Sequence, residues 1–310
     1  MENQTIAPSI VLSGLCDIPS LQLPLFLVFL LVYLMTLTGN LLIVLLICTD
    51  SHLQTPMYFF LGTLACLDMG YSSVTIPRML YDLYTQSKII SLQACITQLF
   101  FFIFLVMSEV FLLSVMSYDR YVAICHPLHY TQIMHWKACV LLVLGVLMIS
   151  IVYSLVHVLL LLKLTFCRLT PLQSFFCDLP QLLLVSCSDT FINVLLILIL
   201  VILVAGGIFA LTFCPYIIIL NTIMKMQSKA MRSKAFSTCS SHLTVVFILY
   251  GTGLFSYFDP NVKDHSAVDK VASVIYTVLT PLVNPLIYSL RNEIMKKSLK
   301  SFVCRLKILG

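Results

Sequence analysis

Met116-Ser117-Tyr118-Asp119-Arg120-Tyr121-Val122-Ala123-Ile124-Cys125-His126-Pro127 sets an acid, a base and a phenol side by side at the end of a long apolar run. An ionisable group at the edge of hydrocarbon costs about 2.5–3.5 kcal/mol on insertion scales, so it is normally paired and normally functional. Asp119 can hold Arg120 by a charge-assisted bond, and Arg120 can exchange that partner when neighbouring helices move. The plainer reading is a snorkelling arginine that anchors a helix end. The tripeptide alone leaves both open.

The rest of the chain fixes the setting. At 310 residues, 60% hydrophobic and 10% charged, with mean hydropathy +1.03, it is too apolar for a soluble domain and reads as an all-α polytopic membrane protein. The net charge of +5 is small and the basic residues form no dense patch, which argues against nucleic acid as a partner. Seven apolar segments, about 24–48, 57–82, 93–124, 138–162, 191–224, 235–258 and 269–289, each approach the ~20 residues that cross ~30 Å of hydrocarbon. The expected organisation is an outer N-terminus (1–23), a seven-helix bundle (24–289) and a short amphipathic tail helix (290–310), in which Arg291, Lys296, Lys297, Lys300, Arg305 and Lys307 alternate with apolar residues.

Twelve basic residues fall on the side of Arg120 and the tail, six on the other, so the positive-inside rule puts the tail in the cytoplasm and the N-terminus outside. The first 23 residues hold no Lys or Arg and only a short apolar stretch, unlike a cleavable signal peptide. Asn3-Gln4-Thr5 is a glycosylation sequon on that outer side. Four of the twelve cysteines, Cys95, Cys167, Cys177 and Cys187, fall near one another on that side, where disulfides form. Four cysteines allow three pairings, and they lack the Cys-x-x-Cys spacing of a zinc site. Cys125, Cys239 and Cys304 would be free thiols on the cytoplasmic side.

Asp68 and Glu109 are acids inside apolar spans with no intramembrane Lys or Arg at hand. With Asn40, Ser114 and Asn284 they could hold Na⁺ or another small cation, which is the reading preferred here. The alternative is a carboxyl pair sharing a proton. No other cofactor is expected. A ligand pocket should lie between the outer halves of the third, fifth, sixth and seventh spans. Its candidate lining is Phe102, Ile103, Val106 and Met107; Leu200 and Val204; Tyr250, Gly253, Leu254 and Tyr257; Ser273 and Thr277. From Ile96 to Ser108 there is no acid, and Glu109, fourteen residues beyond Cys95, lies ~21 Å inward at ~1.5 Å per residue. Such a pocket is uncharged and suits a compact apolar molecule with one ester, alcohol, ketone or aldehyde oxygen.

The chain resembles, over nearly its whole length, an olfactory receptor, a rhodopsin-like G-protein-coupled receptor. The blocks that carry the resemblance are Gly39-Asn40, Pro56-Met57-Tyr58-Phe59-Phe60-Leu61, the stretch 116–130 ending Leu128-His129-Tyr130, Ser233 to Leu243, and Pro281-Leu282-Val283-Asn284-Pro285-Leu286-Ile287-Tyr288. Tyr250-Gly251-Thr252 resembles the tetrapod-type class. The family usually has Ala where Ser117 stands, Ser where Pro215 stands and Ser-Asn where Gly62-Thr63 stand. Pro215 frees a helical carbonyl and would shift Tyr216.

The resemblance implies a plasma-membrane receptor for small neutral odorants, coupled to a stimulatory olfactory-type heterotrimeric G protein that raises cyclic AMP. It makes Asp119, Arg120 and Tyr121 a cytoplasmic switch, working with Tyr216, Asn284, Pro285 and Tyr288 beside Lys229, Arg232 and Lys234. It also implies bridges Cys95–Cys177 and Cys167–Cys187. Other classes fit less well. A transporter should show internal repeats, and none is visible. An enzyme needs a convergent nucleophile set, whereas His157 is the only histidine assigned to a span and nothing accompanies it. A retinal-type light receptor needs a lysine within 271–289, and none is there.

Overall fold

Hydrocarbon leaves a backbone one economical choice, to satisfy its own amides within a helix, and this chain takes it almost throughout. The computed structural model describes residues 9–16, 18–166, 171–258, 271, 273–291 and 293–309. Its long helices are α1 (Pro19–Thr49), α2 (Pro56–Thr85), α3 (Leu92–Cys125), α4 (Trp136–Leu161), α5 (Phe191–Lys225) and α6 (Lys229–Phe258). A π-helical turn, Ile275–Leu279, leads into α7 (Thr280–Arg291), and α8 (Glu293–Leu309) follows. Among the described residues α1 to α5 are long and apolar enough to cross a membrane. The seven expected spans fall on helices to within a residue, except that 269, 270 and 272 lie outside the described residues.

The helix ends follow local chemistry. Pro19 and Pro56 open α1 and α2, where a missing N–H costs nothing. The Ser91 hydroxyl caps α3 by accepting the Ala94 N–H at 3.2 Å. Gln86, in the left-handed region at φ 57°, stops α2. α6 starts at Lys229, six residues before its apolar span, so Lys229 and Arg232 stand exposed on helical turns beyond the hydrocarbon.

Burial separates a frame from a periphery. More than half of the apolar stretches of α2 and α3 is buried, against 11% of that of α5. Tyr71, Phe60, Leu64, Ile76, Met79, Leu99, Leu112 and Leu113 form the frame's core. Leu141, Leu203 and Ile217 are each more than 60% exposed and form the apolar outer surface that lipid requires. A Cβ on Gly70 would approach the Leu105 side chain to 3.2 Å, so a larger residue there would force α2 and α3 apart.

At one end a β1–β2 ribbon (Ser9–Val11 with Ile89–Ser91, antiparallel) ties the N-terminal segment to the α2–α3 loop, and Leu12 bridges to Leu172 of the long 162–190 connection. The Cys95–Cys177 disulfide pins that connection to α3, with Cα atoms 5.4 Å apart. Cys187 is also disulfide-bonded. Cys167 and the Asn3 sequon lie outside the described residues. Cys125, Cys239 and Cys304 are free thiols.

At the other end Asp50 accepts the His52 N–H at 3.0 Å and a hydrogen bond from Ser298 of α8. Those bonds, the Ser298 one first, hold its carboxyl down at about 2. With Met295 buried beneath α1, they seat α8 against the bundle.

Cys177→Ala removes the covalent link between α3 and the connecting loop, at a typical cost of ~2–5 kcal/mol. Surface display measured by flow cytometry should fall severalfold, whereas Cys16→Ala, which removes a free thiol, should leave it within about twofold. Equal display of the two variants would contradict this account.

Candidate functional site

Four polar assemblies run down the bundle, all anchored on α3. The Arg120 end is a locked ion pair. Asp119 is 1% exposed, and its Oδ2 accepts both the Arg120 Nε–H at 2.9 Å and the Arg120 guanidinium's terminal nitrogen. Its Oδ1 accepts the Tyr130 hydroxyl at 2.8 Å. Arg120 therefore sits within the bundle and does not snorkel. Tyr121 turns to His126, hydroxyl to Nε2 at 3.1 Å, and does not join the pair.

Beside Arg120 the Tyr216 hydroxyl meets His242 Nδ1 at 2.7 Å with the rings stacked, which joins α5 to α6. His242 corrects the expectation that His157 is the only intrahelical histidine. His242 falls inside the expected sixth span, 235–258, and lies on α6, 2% exposed. Tyr288 has no described side chain. Asn284 and Pro285, one turn before it, face α2 and α1: Asn284 contacts Asp68, and a Cβ on Gly39 would lie 3.8 Å from Pro285.

Above the ion pair, Thr212 of α5 is a hub. Its carbonyl accepts the Ser117 hydroxyl at 2.7 Å, and its own hydroxyl meets Ser114 at 2.7 Å and Tyr250 at 3.2 Å. Pro215 sits within α5 three residues on. Ser117 and Pro215, both departures from the family pattern, thus meet at one turn of α5, where the serine hydroxyl serves backbone next to the proline break. Ser114 accordingly belongs to the α3–α5–α6 contact and not to the acid pair, because its position on α3 rotates it away from α2.

The acid pair is real. Asp68 and Glu109, each 1% exposed, face each other at hydrogen-bonding range, and Asn284 Nδ2 donates to both Asp68 oxygens at 2.9 and 3.2 Å. Glu109 Oε1 is buried without a hydrogen-bond partner among the described residues. Asn40 instead links α1 to α7, donating to the Thr36 and Pro281 carbonyls at 3.0 and 3.1 Å.

Between α3, α4, α5, α6 and the π turn lies a cavity of about 160 Å³. Phe102, Ile103, Val106, Met107, Val204 and Tyr250 line it as expected, joined by Val110, Tyr153, His157, Leu179, Val201, Ala205, Ile208, Leu249 and Tyr276. Leu200, half-buried, lies off the cavity, one position before Val201 on α5. Ser273 and Thr277 are also outside it, since Thr277 spends its hydroxyl on the Ser273 carbonyl at 2.7 Å. The side chains of Leu254 and Tyr257, and position Gly253, fall outside what is described.

Gln98 is a strut and no part of the lining. It donates to the Val74 carbonyl and accepts the Cys177 N–H, both at 3.0 Å, holding the loop over the cavity. Phe102, Phe176, Tyr71 and Tyr276 cluster with ring centres 5.0–6.3 Å apart as its roof. Asp178 caps the loop helix Leu179–Leu184 by accepting the Leu179 N–H at 2.8 Å, while burial pushes its carboxyl up to about 6. The lining itself carries no acid and no Lys or Arg among the described residues.

Tyr130→Phe deletes a hydrogen bond to a buried carboxylate, an interaction of ~1.5–3 kcal/mol. Loosening the lock on Arg120 should raise ligand-free signalling several-fold at constant surface display. An unchanged baseline would remove Tyr130 from the lock.

Comparison with known proteins agrees with this geometry. The family model for olfactory receptors matches residues 29–306. Olfactory receptor 5B12 of Homo sapiens is 46% identical over 99% of this chain and 98% of its own length. Olfactory receptor 7C1 of Homo sapiens is 46% identical over 98% and 95%, and olfactory receptor 8B8 of Mus musculus 44% over 98% of each. In fold the chain is similar to squid rhodopsin, with TM-score 0.70 and 18% identity over 98% of this chain and 93% of that one. The chain belongs to the olfactory receptor family: it is a seven-helix, multi-pass membrane receptor of the rhodopsin-like class, a signalling protein and not an enzyme.

Proposed function

We propose that the receptor binds small neutral odorants in the 160 Å³ cavity and activates a stimulatory, olfactory-type G protein, raising cyclic AMP. The observation that carries this reading is the shared residue Tyr250, which lines the cavity and bonds Thr212, whose carbonyl holds Ser117 one turn above Arg120. A cavity of similar size in another protein interior holds a benzene ring, so the volume suits a compact organic molecule. An ionic ligand would lose its hydration for a lining that offers no counter-charge. A ligand that displaces Tyr250 loosens Thr212 and, with it, the contact of α3 with α5. Arg120 then exchanges Asp119 for the G protein as α6 swings away. Orientation follows the charge bias, with Asn3 outside and glycosylated and α8 on the cytoplasmic leaflet.

The acid pair tunes this equilibrium. Two facing carboxyls in a low dielectric cannot both stay charged without a cation or a proton between them. Asp68, Glu109 and the orphaned Glu109 Oε1 make a hard oxygen site that fits Na⁺, and no group of three or more His, Cys, Asp or Glu among the described residues competes as a softer metal centre. Asp68 and Glu109 would hold the ion, whose positive charge would offset their repulsion, and Asn284 on Asp68 would tie α7 to that α2–α3 pair in the resting arrangement.

Cyclic AMP responses to neutral, carboxylate and ammonium ligands of one carbon skeleton test the main reading. The neutral member should be most potent, and Arg120→Lys, which keeps the charge but loses the planar fork, should cut output at least tenfold at unchanged display. A permanently charged member as best agonist, or full output from the lysine variant, would overturn it. For the acid pair, agonist potency should fall severalfold as external Na⁺ replaces choline, and Asp68→Asn should abolish that dependence. A dependence on pH in place of Na⁺ would assign the pair a shared proton instead.

A further inference from the structure

His157 is a cavity residue whose chemistry the proposed function leaves unused. It lies on α4 and is 1% exposed to solvent, yet it lines the cavity. Its Nδ1 lies 2.9 Å from the Tyr153 carbonyl, one helical turn back. A carbonyl oxygen only accepts, so Nδ1 carries the hydrogen, and in the neutral ring Nε2 is left with a bare lone pair. The Tyr153 ring packs against the imidazole with centres 4.3 Å apart and planes tilted by 38°, which together with the Nδ1 bond restrains the direction of that lone pair.

Of the other polar groups of the lining, the Tyr153 hydroxyl stands beside the imidazole as a second group open to a ligand, while two more are already engaged. The Tyr250 hydroxyl is held by Thr212 at 3.2 Å, and the Tyr276 hydroxyl interacts with Tyr71. His157 Nε2 has no partner among the described residues and is not sealed against the protein. A buried acceptor left unpaired carries a desolvation penalty that a ligand donor relieves. The lining holds no Asp, Glu, Lys or Arg among the described residues that would set the ring's charge from outside.

We propose that His157 Nε2 is the specificity-determining acceptor of the odorant cavity, selecting small alcohols and phenols, whose O–H donates to it, over ethers, esters and ketones of the same skeleton. This rests on the cavity being the odorant site. An ether or ketone brings a second lone pair against Nε2 and leaves both desolvated, whereas an alcohol forms the bond and places its apolar body among Phe102, Val106 and Val204. A site that reads a hydroxyl in this way discriminates against analogues that lack it more strongly than a purely apolar pocket discriminates by size.

The test is a cyclic AMP dose-response series of matched alcohol, methyl ether, ketone and carboxylate ligands on the full-length receptor, with surface display followed in parallel. In the unmodified receptor the alcohol should be about tenfold more potent than its methyl ether, the ratio that one well-placed hydrogen bond supplies. His157→Phe, which keeps an aromatic ring against Tyr153 and removes the acceptor, should bring the ratio to about one by weakening the alcohol alone. His157→Gln, which restores an acceptor oxygen, should recover part of it.

Equal alcohol and ether potency in the unmodified receptor, or a ratio that survives His157→Phe, would overturn the proposal without any need for the variant to be well displayed in the first case. A carboxylate as most potent ligand would show an imidazolium and overturn it as well. Val204→Trp, which fills the cavity, separates this from the parent reading. If it leaves every ligand's potency unchanged at normal display, the cavity is not the odorant site; if it silences all of them while the ratio ignores His157, only the role of His157 fails.

Discussion

A polar atom inside hydrocarbon must find its partner within the protein, and in this receptor most of those obligations fall on one helix. From end to end α3 presents Gln98, Glu109, Ser114, Ser117 and Asp119 to the interior. Gln98 is met by α2 and the outer loop, Glu109 by Asp68 of α2, Ser114 and Ser117 by Thr212 of α5, and Asp119 by Arg120 and Tyr130. The partners outside α3 come from α2, α5, the outer loop and the α3–α4 connection, so these side chains together fix the azimuth of α3 against its neighbours. Apolar packing alone tolerates rotation and sliding; these bonds do not.

The same bonds divide the molecule into parts that hold and parts that exchange. Asn284 on Asp68 and Asn40 on the Pro281 carbonyl bind α1, α2 and α7 at depth, where no solvent competes. The polar contacts of α5 and α6 pass instead through hydroxyls: Thr212, Tyr216 and Tyr250. A hydroxyl can rotate from one acceptor to another at little cost, which makes it a suitable joint between a fixed frame and a moving helix.

Hydropathy made the seven spans legible, because one-dimensional composition is all that a membrane crossing demands. The Asp119–Arg120 pair was legible because its partners are adjacent in the chain. What stayed hidden depends on rotation about a helix axis. Leu200 and Val201 are neighbours in sequence, but only Val201 reaches the cavity. Ser114 sits at the depth of the acid pair, yet it faces α5. His157 and Tyr153 went unassigned to the pocket because nothing local in α4 says which of its faces meets α3. His242 was obscured for a different reason: it lies within the expected sixth span, but among serines and threonines whose polarity gives no sign that the ring is buried.

α5 is the least buried of the long apolar helices, yet it supplies Val201, Val204, Ala205 and Ile208 to the cavity wall. Of these, Ile208 is buried against the frame, whereas Val201, Val204 and Ala205 are only half-buried, so exchanging one aliphatic residue for another at those three reshapes the cavity wall at a smaller packing cost than at Ile208. If the cavity is the odorant site, ligand preference in such a receptor can shift by small steps there without undermining the fold, a freedom that follows from where the helix sits rather than from what it binds.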